Sequence, residues 1–123
     1  MKPFVDMYDQ GKWKYLASMD GNGWANRLPF LLSLGSSVFK QESEYFTWWY
    51  YFLIPYKHFI PIIVNKTYDN ILETIQWAIS HDSEAFEIAQ NGKILVESLL
   101  FNLSDTYMCL LIDKYASLYY AHV

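Results

Sequence analysis

The chain has 123 residues, enough for one domain with a buried core. It is 53% apolar and 18% charged, a balance that excludes an unfolded chain. Its net charge is −4 and no basic patch stands out, so a nucleic-acid-binding role is excluded on charge. Aromatic residues make up 20%, a surplus that implies a crowded core or a surface that meets another domain.

Residues 1–12 read as a short lead-in without the apolar stretch of a signal peptide. Trp13 to Met19 is a short apolar run and a first strand. It ends at Asp20-Gly21-Asn22-Gly23, a strong turn signal. From Trp24 the apolar residues fall at Leu28, Leu31, Leu32 and Leu34, the spacing of a helix that Gly35 can stop. Pro29 fits only its first turn. Ser36 to Gln41 reads as a second strand, and Glu44 to Phe52 as an aromatic helix ended by Pro55.

The run from Tyr45 to Val64 is apolar enough to suggest a membrane span, but Pro55, Lys57, His58 and Pro61 interrupt it. A buried helix followed by a strand from His58 to Val64 is expected instead. Pro61 marks that strand as irregular or near an edge. Three amphipathic helices follow. Asn70–Ser80 sets Ile71, Leu72, Ile75 and Ile79 on one face. Asp82–Leu100 does the same with Ala85, Ile88, Ala89, Gly92, Leu95, Val96 and Leu99. Ser104–Tyr120 turns Tyr107, Leu110, Leu111 and Leu118 inward. The lone cysteine, Cys109, sits among apolar residues and reads as a buried small hydrophobe. Strand–helix alternation predicts an α/β fold, a Rossmann-like parallel sheet with flanking helices.

Ligands of open parallel sheets bind beyond the carboxyl ends of the strands. The Asp20–Gly23 turn is expected at such an end. Its glycines allow close backbone approach, the following helix offers free N–H groups to an anion, and Arg27, one turn in, can add a bidentate contact. The same residues also describe an ordinary strand-to-helix turn. The second polar cluster is Ser36-Ser37 with Lys40-Gln41-Glu42, able to meet a phosphate, a ribose or a base edge, or simply to face water. His58 reads as a packed residue, and no His/Cys set has metal-ligand spacing. Asn65-Lys66-Thr67 and Asn102-Leu103-Ser104 fit the N-glycosylation pattern.

The string Tyr15…Asp20-Gly21…Arg27-Leu28-Pro29…Leu31-Leu32…Gly35-Ser36…Val38-Phe39-Lys40-Gln41-Glu42-Ser43…Tyr45 resembles the most recognisable block of the CAP10 / protein O-glucosyltransferase family, glycosyltransferase family 90. Pro55…His58-Phe59-Ile60-Pro61-Ile62 continues it, as do Trp77-Ala78, His81-Asp82 and Asn91-Gly92. The resemblance implies the C-terminal domain of a GT-B enzyme, so residues 1–123 would form a single, partial domain, the nucleotide-sugar-binding half. It implies a UDP-sugar as co-substrate, no required cofactor or metal, and a protein or glycan hydroxyl as acceptor. It also implies an endoplasmic reticulum or secretory setting, although this chain carries no targeting signal.

On the matched positions, the donor-binding residues would be Asp20, Gly21, Arg27, Gly35, Ser36, Lys40, Gln41 and Glu42. Arg27 would come first, and Lys40 second, for the diphosphate. The family's acidic general base lies upstream of this block. The 123 residues alone are therefore expected not to catalyse transfer. The alternative is a non-catalytic truncated paralogue or fragment that keeps only the fold or nucleotide-sugar binding.

Overall fold

A computed structural model describes residues 5–63 and 69–121. Three short strands form one parallel sheet in the order β1-β2-β3: β1 (Tyr15–Ser18), β2 (Ser37–Gln41) and β3 (Ile60–Ile62). The register sets Ser18 beside Lys40, and Lys40 beside Pro61. Helix α1 (Leu28–Ser33) connects the first two strands, and a 3-10 turn (Trp48–Phe52) lies between the second and third. Helices α2 (Asp69–Ser80), α3 (Asp82–Val96) and α4 (Ser104–Ala121) follow, with a π turn (Glu97–Phe101) before α4. The α/β reading holds. Pro61 lies in β3, which among the described residues pairs only with β2, so its missing N–H fits an edge strand. Val64, the expected end of that strand, lies outside the described residues.

The sheet separates two apolar clusters. On one face Leu16 and Val38 pack with Leu28, Leu31 and Leu32 of α1 and with Trp49, Tyr50 and Phe59. On the other, Phe39, Ile60 and Ile62 meet Ala78 of α2 and Ala85 and Ile88 of α3. Polar contacts bolt the layers together. The Ser37 hydroxyl donates to the Ala85 carbonyl at 2.8 Å in a buried site, and the Tyr15 hydroxyl donates to the Ala78 carbonyl at 3.3 Å. Lys14 and Asp82 add an exposed ion pair.

Several elements differ from the pattern in the sequence, for physical reasons. Helix α1 begins at Leu28, not near Trp24, because Pro29 is accommodated in the first turn but would break a helix already under way. The expected Glu44–Phe52 helix contracts to the 3-10 turn, since a run of aromatic residues has little intrinsic helix preference. On α2 the inward residues are Thr74 and Ala78, flanked by Ile71, Ile75 and Trp77. Leu72 and Ile79 are exposed. Helix α4 buries none of its residues, so Tyr107, Leu110, Leu111 and Leu118 do not point into a core and Cys109 is exposed. The main ring contact between α4 and the body is Trp48 stacked on Tyr107, with centroids 4.3 Å apart. The aromatic surplus is thus largely on the surface: Trp13, Trp24, Phe46 and Tyr51 are all exposed. No single described helix is long and apolar enough to cross a membrane.

Helix α3 follows its expected inward face, and one residue decides how closely it packs. A Cβ on Gly92 would stand 2.5 Å from the His58 carbonyl oxygen and 3.0 Å from Leu32. The first contact is with backbone, which cannot swing aside. Gly92→Ala is therefore expected to lower stability by about 1–3 kcal/mol despite alanine's better helix propensity. Denaturant titration of the two proteins checks this, and an unchanged or raised midpoint would show that the helix can shift freely.

Candidate functional site

At the carboxyl ends of β1 and β2 the two strands are tied to each other by the chain that leaves them. The Asp20 N–H donates to the Gln41 side-chain oxygen at 3.2 Å, which anchors the start of the glycine loop on β2. Glu42 continues the strand edge by donating its N–H to the Ile62 carbonyl at 2.9 Å. Gly21 and Gly23 do not have positive φ, and a Cβ on either would meet nothing within 4 Å. The fold itself does not demand glycine there. Arg27 is the N-cap residue of α1, not a residue one turn inside it. It is exposed and makes no ion pair among the described residues.

Lys40 lies at the same end on the α1 face of the sheet. Its ammonium donates to the Gln41 carbonyl at 3.0 Å. It also sits 4.9 Å from the centre of the Tyr50 ring and 5.7 Å from that of Phe59, a cation–π arrangement on two faces. Burial pushes the Lys40 pKa down, and the Asp20 and Glu42 carboxylates offset part of that shift. The Tyr50 hydroxyl is pushed up, first by burial and then by Asp20. Beside Lys40 opens a cavity of about 330 Å³, walled by Phe46, Tyr50, Leu53, Pro55, Phe59 and Pro61, with Glu42 and Ser43 at its polar side. That is the lower end of the range for small-molecule sites. Two buried hydroxyls, those of Ser18 and Tyr50, have no hydrogen-bond partner among the described residues.

Gly35 and Ser36 are elsewhere. They precede β2 and so lie at the amino end of the sheet. Gly35 has φ 77° and ends α1, and the Ser36 hydroxyl donates to the Trp13 carbonyl at 2.7 Å. Ser37, grouped with them in the sequence, is buried against α3. Asp20, Gly21, Lys40, Gln41 and Glu42 are thus brought to one edge with Arg27 on the loop that leaves it, while Gly35 and Ser36 belong to a structural turn at the other. The aromatic wall of Phe46, Tyr50 and Phe59 was missed in the sequence, where those rings read as parts of a helix and a strand. The signal available was the Pro55 break between them.

The back wall of the cavity is held by His58. The turn Ile54–Phe59 is closed by the Tyr56 N–H on the Phe59 carbonyl at 2.8 Å and the His58 N–H on the Ile54 carbonyl at 3.0 Å, with Tyr56 at φ 58°. The Ile54 N–H donates to His58 Nδ1 at 3.0 Å, so that nitrogen must be unprotonated. His58 is buried, as its sequence setting suggested.

The glycine loop, the exposed arginine and the half-buried lysine thus stand at the carboxyl edge of a parallel α/β sheet, the edge where ligands of such sheets bind. The comparisons narrow this. The model of Glycosyl transferase family 90 matches residues 2–123, so the chain belongs to that family. It is 39% identical over 117 residues to Protein O-glucosyltransferase 2 of Danio rerio, covering 93% of this chain and 23% of that protein. It is 38% identical over 96 residues to Protein O-glucosyltransferase 3 of Homo sapiens, covering 78% of this chain and 18% of that protein. Uncharacterized protein 179R of Invertebrate iridescent virus 6 is 34% identical over 91 residues, 68% of this chain and 8% of that protein. The chain therefore spans less than a quarter of the length of these relatives.

The His58 arrangement carries a sign. Burial first, and then the Lys57 charge, lower its pKa from 6.5, so the folded state favours the neutral ring. The unfolded chain then binds the proton more readily, and the stability contributed by neutral His58 is present above 6.5 and lost as the pH falls below it. The melting temperature is expected to drop from about pH 7 to about pH 5, and to drop less steeply in His58→Gln. Equal slopes would remove His58 from the account.

Proposed function

We propose that this chain supplies the nucleotide-sugar-binding half of a family 90 glycosyltransferase, one that moves glucose or xylose from a UDP-sugar to a protein or glycan hydroxyl. The observation that carries the reading is the gathering of Asp20, Gly21, Lys40, Gln41 and Glu42 at the carboxyl edge of the sheet, with Arg27 exposed beside them. Two glycines that the fold does not require suit a backbone approached closely by a ligand. Arg27 is free to face a diphosphate, whose charge grows as the sugar leaves. A guanidinium suits it because it forms two parallel bonds to phosphate oxygens. Gly35 and Ser36 support the site from a distance by ending α1 and starting β2. The protein O-glucosyltransferase relatives favour glucose among the sugars.

The test is calorimetric titration of UDP and UDP-glucose into the chain and into Arg27→Ala, together with a transfer assay. Binding is expected in the wild type and is weakened about tenfold or more by the substitution. Transfer by the 123 residues alone is not expected, because the resemblance places the general base upstream. A folded wild-type chain that binds neither ligand would end the proposal, and measured transfer would end its division of labour.

For the setting, we propose the secretory pathway. Asn102 of the Asn102-Leu103-Ser104 triplet is exposed at the bend before α4, where a glycan can be accommodated. The Asn65 triplet lies outside the described residues. Expression in a secretory host should give an endoglycosidase-sensitive mass increase that falls by one glycan in Asn102→Gln. An unmodified secreted chain would count against this reading.

A further inference from the structure

The Ile54–Phe59 turn faces two ways. Pro55 and Phe59 line the cavity beside Lys40, whereas Tyr56 and Lys57 line a recess of about 470 Å³ that shares no residue with that cavity. Its other walls are Trp77 near the end of α2 and Glu84, Glu87 and Asn91 along α3. A second recess, of about 350 Å³, shares Tyr56 and Trp77 and adds Glu73. The turn precedes β3, and Ser37, the first residue of β2, bonds the Ala85 carbonyl, so this part of α3 lies toward the amino end of the sheet. Two rings form the corner common to both recesses. Tyr56 meets Trp77 with centroids 5.6 Å apart and planes at 80°, and His81 stacks on Trp77 at 5.1 Å. Tyr56 has φ 58°, in the left-handed region where a bulky residue is rare and glycine is at ease. Its contact with Trp77 still leaves Tyr56 55% exposed. The turn alone would form more easily with glycine, and the fold uses less than half of what the tyrosine adds. Backbone strain of this kind gathers at binding sites.

The polar groups around the corner are mixed. Ionised Glu84 and Glu87 only accept hydrogen bonds, Lys57 only donates them, and Asn91 does both. Lys57, Glu84 and Glu87 make no ion pair among the described residues. An anion would meet the carboxylates of Glu73, Glu84 and Glu87. A cation would draw on them but face Lys57, and because all three are exposed, water and salt screen most of that gain. A neutral, hydroxyl-rich ring suits every group. Its hydroxyls both donate and accept, so carboxylate, ammonium and amide are all partners. Its C–H face is apolar and weakly positive, and it lies against the negative face of an aromatic ring. An open recess fits such a ligand, because hydroxyls on its far side stay in water. Two recesses that share one corner fit two joined rings.

We propose that the Tyr56–Trp77 corner is a saccharide-binding site that holds a neutral chain of two or more sugar units, separate from the candidate donor edge. Tyr56 is the platform on which a sugar ring stacks, and Glu87 and Asn91 supply hydrogen bonds to its hydroxyls. The site holds its ligand and performs no chemistry on it. The inference does not rest on the nucleotide-sugar reading, since none of Asp20, Arg27, Lys40, Gln41 and Glu42 lines either recess.

Saturation-transfer NMR of the full chain with the neutral disaccharides maltose and cellobiose tests this, with arginine amide as the cationic probe and thermal unfolding as the check on folding. Transfer to at least one disaccharide is expected, equal at low and physiological salt and unchanged by saturating UDP. Tyr56→Gly removes the ring while suiting the backbone at φ 58°, so the protein is expected to stay folded. It should bind the disaccharide about fivefold or more weakly. Glu87→Ala, an exposed change, should weaken binding about threefold or more and decides the matter if Tyr56→Gly does not fold. A folded wild type that binds neither disaccharide overturns the inference, and so does a folded Tyr56→Gly protein that binds as the wild type does. Displacement of the sugar by UDP would place it at the donor edge and overturn the separate site. Binding of arginine amide in place of the disaccharides, weakened by salt, would make the recess a site for basic side chains and overturn the saccharide assignment.

Discussion

The close approach of α3 at Gly92 is the constraint on which the rest of the molecule leans. Only a residue without a side chain lets the helix touch the His58 carbonyl and Leu32 together. That contact brings α3 against α1 on one side and against the Ile54–Phe59 turn on the other. Ala85 and Ser37 then meet at the far end of the same helix, which fixes β2. The turn in turn presents Pro55 and Phe59 to the cavity. The packing at Gly92 therefore bears on the wall of the candidate site. Cores transmit such adjustments because they are close-packed and have little space in which to absorb them.

The sequence was most informative where a residue's chemistry leaves few options. Pro29 and Pro61 found their places at a helix start and an edge strand, the Asp20–Gly23 turn ended a strand, and His58 was packed. It was least informative where apolar residues are abundant. Periodicity finds an apolar stripe but not which stripe is covered. On α2 it chose Leu72 and Ile79, which are exposed, over Thr74 and Ala78, which are small and allow the helix to approach the sheet. The same limit applies to the site. Ser36 precedes β2 and Lys40 is near its end, so the two stand at opposite ends of that strand. No spacing argument along the chain separates them until the strand's direction relative to the ligand edge is known. The cavity was hidden for a related reason, since its walls come from three segments that only the register of β3 on β2 brings together.

Helix α4 shows what this packing leaves undone. Leu110, Ile112, Tyr115, Leu118 and Tyr120 are exposed on it, and no described residue covers them. An apolar helix of this kind is ordinarily buried. Trp24, Phe46 and Tyr51 add to the uncovered surface near the carboxyl edge of the sheet and the turn above it. The protein O-glucosyltransferase relatives set this surface in context, since the chain spans less than a quarter of their length.

The two cations at the carboxyl edge of the sheet are held in different ways. Exposed Arg27 keeps its hydration in the absence of a partner, so holding it ready costs little, and its guanidinium is weakly hydrated enough to give up water to phosphate. Lys40 is in the opposite situation. It is already partly desolvated, with its ammonium over two aromatic rings, and the Asp20 and Glu42 carboxylates favour its charged form. Coulomb attraction between exposed charges is screened within roughly 8–10 Å at cellular salt, and partly buried charges are screened less. Any pull of Arg27 on a distant charge is therefore weakened by salt, and the contacts of half-buried Lys40 are weakened less.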